Sequence, residues 1–319
     1  MMKMLSRRSF IRNLVVGLGA LTFGGWQRLV SAEGRGYYRI VVLGDPHLPV
    51  RVAEHTDVKE QQKIMAAKDD VIADINGWED VSAVAVVGDI VARRAVQSEY
   101  EYVHSFFGKL KKKLWVVNGN HEFLYEDGVQ PNGKLKVASL ATWRRKLAYF
   151  AAFWQLPRRW YAKDLGRYHL IFLSTEGPLP TQIGEEQLEW FRKDLAKHRD
   201  KTTLVFFHGP LNHTLLNYKK SVNTPKTIAM PADAIDAILT ENPQVRLWVS
   251  GHTHTPCNNP SYADKEVNRY NEHTYNIHND CMDRKKITTN SIYLYEDHIE
   301  VRTFDHKHKK WLTGFDRSF

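Results

Sequence analysis

The sequence predicts a layered α/β fold of two packed sheets, and three observations carry that reading. From Tyr37 onward, short apolar runs alternate with stretches of helical periodicity, the pattern of layered α/β architecture. Five of the apolar runs pass directly into Asp, Asn or His, which puts polar side chains at strand ends, where open α/β sheets place their ligands. Near the C-terminus, further strand-like runs follow one another and suggest a second sheet. Residues 33–319 contain no internal repeat, low-complexity linker or clear boundary, so they read as one domain.

Residues 38–43 form the first strand, which ends in Gly44-Asp45-Pro46-His47. A helix over 59–76 follows, with Ile64, Val71, Ile72 and Ile75 spaced to share one face. The strand 81–87 ends in Gly88-Asp89, and a helix over 96–110 leads to the apolar run 113–117, which breaks into Gly119-Asn120-His121-Glu122. Residues 125–136 are polar and irregular, and a helix over 140–153 comes next. A hairpin turns at Gly166-Arg167 between strands 160–165 and 169–174. The helix 185–198 turns Leu188, Phe191 and Leu195 inward. Strand 203–207 runs into His208-Gly209-Pro210, and Pro231 starts a helix to Leu239. Strand 245–249 ends in Gly251-His252-Thr253-His254, and the tail strands are 274–277, 291–295 and 299–304.

With 43% apolar and 25% charged residues, the chain of 319 residues has the composition of a globular protein with a sizeable core. The formal charge of +9 is uneven, because residues 1–32 hold Lys3, Arg7, Arg8, Arg12 and Arg28 and no acid. The remainder is only mildly basic, which does not argue for a nucleic-acid partner, since that would need a clustered basic face. Ser6-Arg7-Arg8-Ser9-Phe10-Ile11-Arg12, followed by an apolar run over 14–25, resembles a twin-arginine export signal. Val30-Ser31-Ala32 offers a cleavage point after Ala32. The run is short and rich in glycine, below the ~20 residues that span a bilayer, so the mature chain is expected to be exported, periplasmic where an outer membrane exists, and without a membrane span. Export by the twin-arginine machinery is a route similar to that of proteins that fold around a metal first. Cys257 and Cys281 are too few for a disulfide framework, and the sequence leaves open whether they pair.

The strand ends carry the chemistry. Asp45, His47, Asp89, Asn120, His121, His208, His252 and His254 combine carboxylate, amide and imidazole donors, a set suited to borderline divalent metals such as Mn, Fe or Zn. The set has no cysteine, which argues against a structural zinc site.

The order Asp-X-His, Gly-Asp, Gly-Asn-His-Glu, His and Gly-His-X-His resembles that of the calcineurin-like metallophosphoesterases, and it spans most of the chain after residue 32. The resemblance implies a four-layer α-β-β-α sandwich with two mixed sheets and a site for two divalent ions. By position, it implies that Asp45, His47 and His254 hold the first ion, that Asn120, His208 and His252 hold the second, and that Asp89 bridges them. It gives His121 the role of stabilising or protonating the leaving oxygen as a bridging hydroxide attacks phosphorus in line. Two ions less two carboxylates and a hydroxide leave a charge of about +1, which attracts a phosphate ester.

Departures from the pattern bear on the substrate. Purple acid phosphatases resemble Gly-Asp-X-X-Tyr at the second motif, whereas this chain has Ala92 there and keeps His47. Protein serine/threonine phosphatases resemble Gly-Asp-X-Val-Asp-Arg-Gly, and Gly88-Asp89-Ile90-Val91-Ala92-Arg93-Arg94 shares little more than the arginine. Arg93 or Arg94 is a candidate clamp for a substrate phosphate. The overall pattern is most similar to small-molecule phosphodiesterases of the cyclic-nucleotide type. The expected activity is therefore hydrolysis of small phosphodiesters or phosphomonoesters, and the alternative is a non-catalytic metal-binding scaffold that keeps the fold. Segments 211–230 and 255–290 are candidate rims, with Asn212, His213, Tyr218, Lys219, Lys220, Tyr262, Tyr270, His273 and Asp280. The run His306-Lys307-His308-Lys309-Lys310 reads as a solvated turn.

Overall fold

A computed structural model describes residues 34–216 and 222–319; the predicted export signal and the rim residues Tyr218, Lys219 and Lys220 lie outside them. The larger sheet contains β1 (Tyr37–Leu43), β2 (Val81–Val87), β3 (Leu114–Val117), β11 (Thr288–Tyr295), β12 (Ile299–Asp305) and two short edge strands, in the order β12-β11-β1-β2-β3. The smaller contains β6 (Tyr161–Leu165), β7 (Tyr168–Phe172), β8 (Thr202–Phe206), β9 (Val245–Ser250) and β10 (Tyr275–His278), in the order β10-β9-β8-β7-β6. Both sheets are mixed. β1, β2 and β3 are parallel while β11 runs against β1, and β7 to β10 are parallel while β6 runs against β7.

The strands are apolar on both faces because each sheet is covered twice. Ile40 and Val42 of β1 face inward and meet Phe172, Leu204, Phe206 and Val249 of the other sheet. Their neighbours Val41 and Leu43 face outward, against α1 (Val58–Gly77), α2 (Gln97–Phe107) and α3 (Leu140–Phe153) through Val71, Ile75, Val103, Phe106 and Phe150. On the far side, α4 (Glu185–Lys197) and α5 (Ala232–Thr240) cover the smaller sheet with Leu188, Phe191, Ile235 and Ile238. The period-2 alternation of each strand thus divides the apolar residues into three cores and makes a four-layer α-β-β-α sandwich.

Two expectations need correction. The tail strands do not form a sheet of their own: β10 adds to the edge of β9, and β11 and β12 extend the first sheet beside β1. The reason is burial, since Ile292, Leu294, Ile299 and Val301 complete the inner face begun by Ile40 and Val42. Residues 125–136 are not irregular but form most of a hairpin, β4 (Tyr125–Val129) with β5 (Leu135–Val137). Its strands lack an alternating apolar face because it is pinned by polar contacts instead. Lys146 of α3 donates to the Tyr125 carbonyl at 2.6 Å and pairs with the Asp127 carboxylate at 2.9 Å.

His169 ties β6 and β7 to α4 by facing Asp164 through Nδ1 and Asp194 through Nε2, each at 2.7 Å. Burial works against its charge, but the two carboxylates outweigh it and raise its pKa. A raised folded-state value gives stability that is fully present below the ordinary histidine range and is lost as pH rises through the folded value. The thermal midpoint should therefore fall by a few degrees as pH rises above the ordinary histidine value of about 6.5, and His169→Gln should flatten that part of the profile. Parallel pH profiles of the two proteins would remove the assignment. The run from His306 is paired internally, with His306 and Lys309 both on Asp74 at 2.8 Å.

Candidate metal centre

The C-terminal ends of β1, β2 and β3 in one sheet and of β8 and β9 in the other meet at one edge of the sandwich. The backbone there is unusual. Of ten non-glycine residues with positive φ among the described residues, five are Asp45, His47, Asp89, His252 and His254, with φ between 41° and 65°. Such conformations cost about 1–3 kcal/mol each and persist where the surrounding structure enforces them. The glycines beside them allow close approach: a Cβ on Gly119 would lie 2.3 Å from Asp89 Oδ1, and one on Gly251 would lie 2.3 Å from Asp45 Oδ2.

Two groups of donor atoms result, each within 4.8 Å of one another: Asp45, His47, Asp89 and His254 in one, and Asp89, His208 and His252 in the other. Asp89 belongs to both. Asn120 Oδ1 lies 3.2 Å from His208 Nε2, which places it with the second group. The seven predicted ligands, scattered from residue 45 to residue 254, are thus brought together.

Carbonyl oxygens fix how the rings face. His208 Nδ1 donates to the Val87 carbonyl at 2.8 Å, His252 Nε2 to that of Lys226 at 2.9 Å, and His121 Nδ1 to that of Arg93 at 2.8 Å. A carbonyl can only accept, so these nitrogens carry hydrogen, and in the neutral ring the opposite nitrogen presents its lone pair to the site. His208 Nε2 and His252 Nδ1 then face each other at 3.1 Å, and His47 Nε2 and His254 Nε2 at 3.2 Å. The first pair, both rings tied to carbonyls, needs a cation between its nitrogens, a proton or a metal ion; in the second, one ring can donate to the other.

The pKa values follow from that crowding. Burial opposes charge on His208, but Asp89 and Asp45 outweigh it and raise its pKa to about 9. Burial, then the charge of His208, lowers His252 to about 4. In the other pair, burial opposes charge on His254, and Cys281 and Asp45 raise it to about 10. Burial, then Arg51, holds His47 well below its ordinary value. Each pair therefore holds one proton where a divalent ion fits. Asp89 is kept well below the carboxylate range, since the charges of His208 and His121 overcome its burial.

His121 Nε2 lies 3.9 Å from Asp89 Oδ2, beside both groups and in neither. The Arg94 guanidinium is engaged with the Asp127 carbonyl of the hairpin. That of Arg93 forms no ion pair among the described residues, and the two backbone N–H groups of Arg93 and Arg94 are held by Glu99. The described rim residues have partners of their own. Tyr262 is buried and donates to Asn290 at 3.2 Å, Tyr270 reaches Asp236 at 3.0 Å, and His273 donates to the Leu239 carbonyl at 2.9 Å. Asp280 takes Arg284 at 2.9 Å, Asn212 caps the N–H of His213 at 3.0 Å, and both cysteines are free thiols.

Two residues beside the site escaped the sequence reading. Glu122 is buried and accepts from the N–H groups of Val91 at 2.9 Å and Gly119 at 2.6 Å, joining the second and third motifs from beneath. The Tyr125 ring packs 5.2 Å from that of His121, at the foot of the hairpin. The signal for Glu122 was its place in Gly-Asn-His-Glu; nothing local marks Tyr125.

Two metal-ligand groups that share a carboxylate, at the convergent ends of two stacked sheets, define a dinuclear metallohydrolase. The sequence matches the model of the calcineurin-like phosphoesterases over residues 38–256, and the chain belongs to that family. It is a dinuclear metal-dependent phosphoric ester hydrolase. No curated protein matches it in sequence. Among solved structures it is similar to a dimetal phosphatase from Danio rerio, with a TM-score of 0.55 and 14% identity, covering 88% of this chain and 98% of that one. It is also similar to a purple acid phosphatase from seeds of yellow lupin, Lupinus luteus, with a TM-score of 0.59 and 13% identity, covering 88% of this chain and 53% of that one. At these identities the likeness speaks for the fold.

Proposed function

We propose that the protein is an exported hydrolase of small phosphate esters, diesters or monoesters, working with two ions of the Mn, Fe or Zn type. The observation that carries this reading is Asp89, buried and common to both ligand groups. Asp45, His47 and His254 would hold one ion, Asn120, His208 and His252 the other, and Asp89 both. When bound, the ions supply charge for the phosphoryl oxygens and make a water acidic enough to attack near neutral pH.

The side chains do the rest. His121, fixed through Nδ1 on the Arg93 carbonyl, turns Nε2 toward the site to stabilise or protonate the departing alcohol oxygen. Arg93, unlike Arg94, keeps its guanidinium available for a phosphoryl oxygen. Export through the twin-arginine route is supported by Arg7, Arg8 and the run that follows them. Among the described residues, no helix is long and apolar enough to cross a membrane. The composition gives no reason to expect a nucleic-acid partner.

The test is turnover of bis-p-nitrophenyl phosphate and p-nitrophenyl phosphate by purified protein supplied with Mn, Zn or Fe, with the cellular fraction assayed alongside. Metal-dependent turnover recovered from the periplasmic fraction is expected, and the preferred ester defines the substrate class. No turnover with any metal would favour a metal-binding scaffold. Activity confined to the cytoplasm would overturn export.

A further inference from the structure

We infer that Lys68 is a positioning residue for one half of the metal centre, holding His47 by its backbone because nothing holds that imidazole by Nδ1. The inference rests on the two-ion reading above. The rings of His208, His252 and His121 are each tied to a carbonyl through the nitrogen that faces away from the site. His47 is wholly buried, yet its Nδ1 has no partner. Anchors of this kind orient a ligand imidazole, and loss of one typically costs roughly ten- to hundredfold in metal affinity.

At His47 the anchoring has moved to the main chain. Its N–H donates to the Asp89 carbonyl at 2.9 Å, and its own carbonyl accepts from Lys68 Nζ at 3.0 Å. The ammonium spends its other two donors on the Pro49 carbonyl at 2.8 Å and Asp283 Oδ1 at 2.7 Å, so its three-fold donor capacity is filled. Lys68 projects from the middle of α1 and is wholly buried. A buried ion pair is a weak source of stability compared with an apolar side chain of the same volume. What the lysine adds is direction, a fixed point beneath the His47 loop.

Asp283 makes the fixture selective for one half of the site. It also takes Arg51 Nε at 3.2 Å and His55 Nε2 at 3.1 Å, the same loop a few residues on. Its neighbour Met282 donates its N–H to the carbonyls of Gly44 at 3.0 Å and Asp45 at 3.2 Å. Arg284, on the other side, reaches the His254 carbonyl at 3.5 Å. One charged node therefore underlies the loops of Asp45, His47 and His254, and among the described residues the hydrogen bonds of Lys68 and Asp283 go to none of Asn120, His208 and His252.

The test is Mn titration of the metal-free full chain by calorimetry, with electron paramagnetic resonance to separate a coupled pair from a single ion. Wild type should bind two ions. Lys68→Met should weaken one of them by roughly ten- to hundredfold and leave the other unchanged. Placed on His252→Ala, it should weaken the one remaining ion by the same factor; placed on His47→Ala, it should change nothing further. Asp283→Asn, which keeps the shape, should weaken the same ion and carries the test if Lys68→Met does not fold. Equal weakening of both ions, or no weakening in either variant, would overturn the inference. A wild-type chain that binds no pair would instead overturn the two-ion reading.

Discussion

Asp89→Asn is expected to release both ions and to lower kcat/KM by more than roughly 10³-fold. Asp89 Oδ2 lies 3.4 Å from His208 Nε2 and 3.9 Å from His47 Nε2, so one oxygen serves both ligand groups. The other, Oδ1, accepts the His121 N–H at 2.9 Å and places the third motif. Asparagine can keep that second contact, and the fold should survive. It removes the negative charge, however, and turns an NH₂ group, which has no lone pair for a metal ion, toward both ligand groups. Metal content after desalting, measured beside kinetics, reads the result. A variant that keeps two ions at wild-type affinity would show that Asp89 does not bridge.

His121→Ala separates chemistry from metal binding. His121 lies beside both ligand groups and in neither, so both ions should remain. The rate constant should fall by roughly 10²–10⁴-fold, the usual contribution of a positioned acid. The loss should be greater for an alkyl ester than for a nitrophenyl ester, because nitrophenolate departs without a proton. Measurement of kcat across leaving groups of rising pKa checks this. Loss of the ions, or an equal loss for every leaving group, would remove His121 from the role.

The positions of the ligands were legible because each strand announced its own end. A run such as 81–87 is apolar throughout, then meets Gly88-Asp89, and the same change recurs after residues 43, 117, 207 and 249. Chain order and residue type were enough to assemble the set. What stayed hidden was whatever depends on contact between distant residues. Lys68 sits on an amphipathic helix among surface-type residues, and only the fold shows it buried against Asp283. Tyr125 opens a hairpin with no apolar alternation, held by Lys146 from α3. The tail strands could be recognised but not placed, since their inner residues suit either sheet until the edge of β1 is seen to be open. Arg93 and Arg94 are adjacent and alike in sequence. They differ only because the Asp127 carbonyl, supplied by the hairpin, occupies the second.

The most direct measurement is an anomalous-scattering map from crystals grown with Mn. Two peaks ~4 Å apart, flanking the Asp89 carboxylate, are predicted, with Asp45, His47 and His254 around one and Asn120, His208 and His252 around the other. A single peak, or peaks that do not share Asp89, would contradict the account.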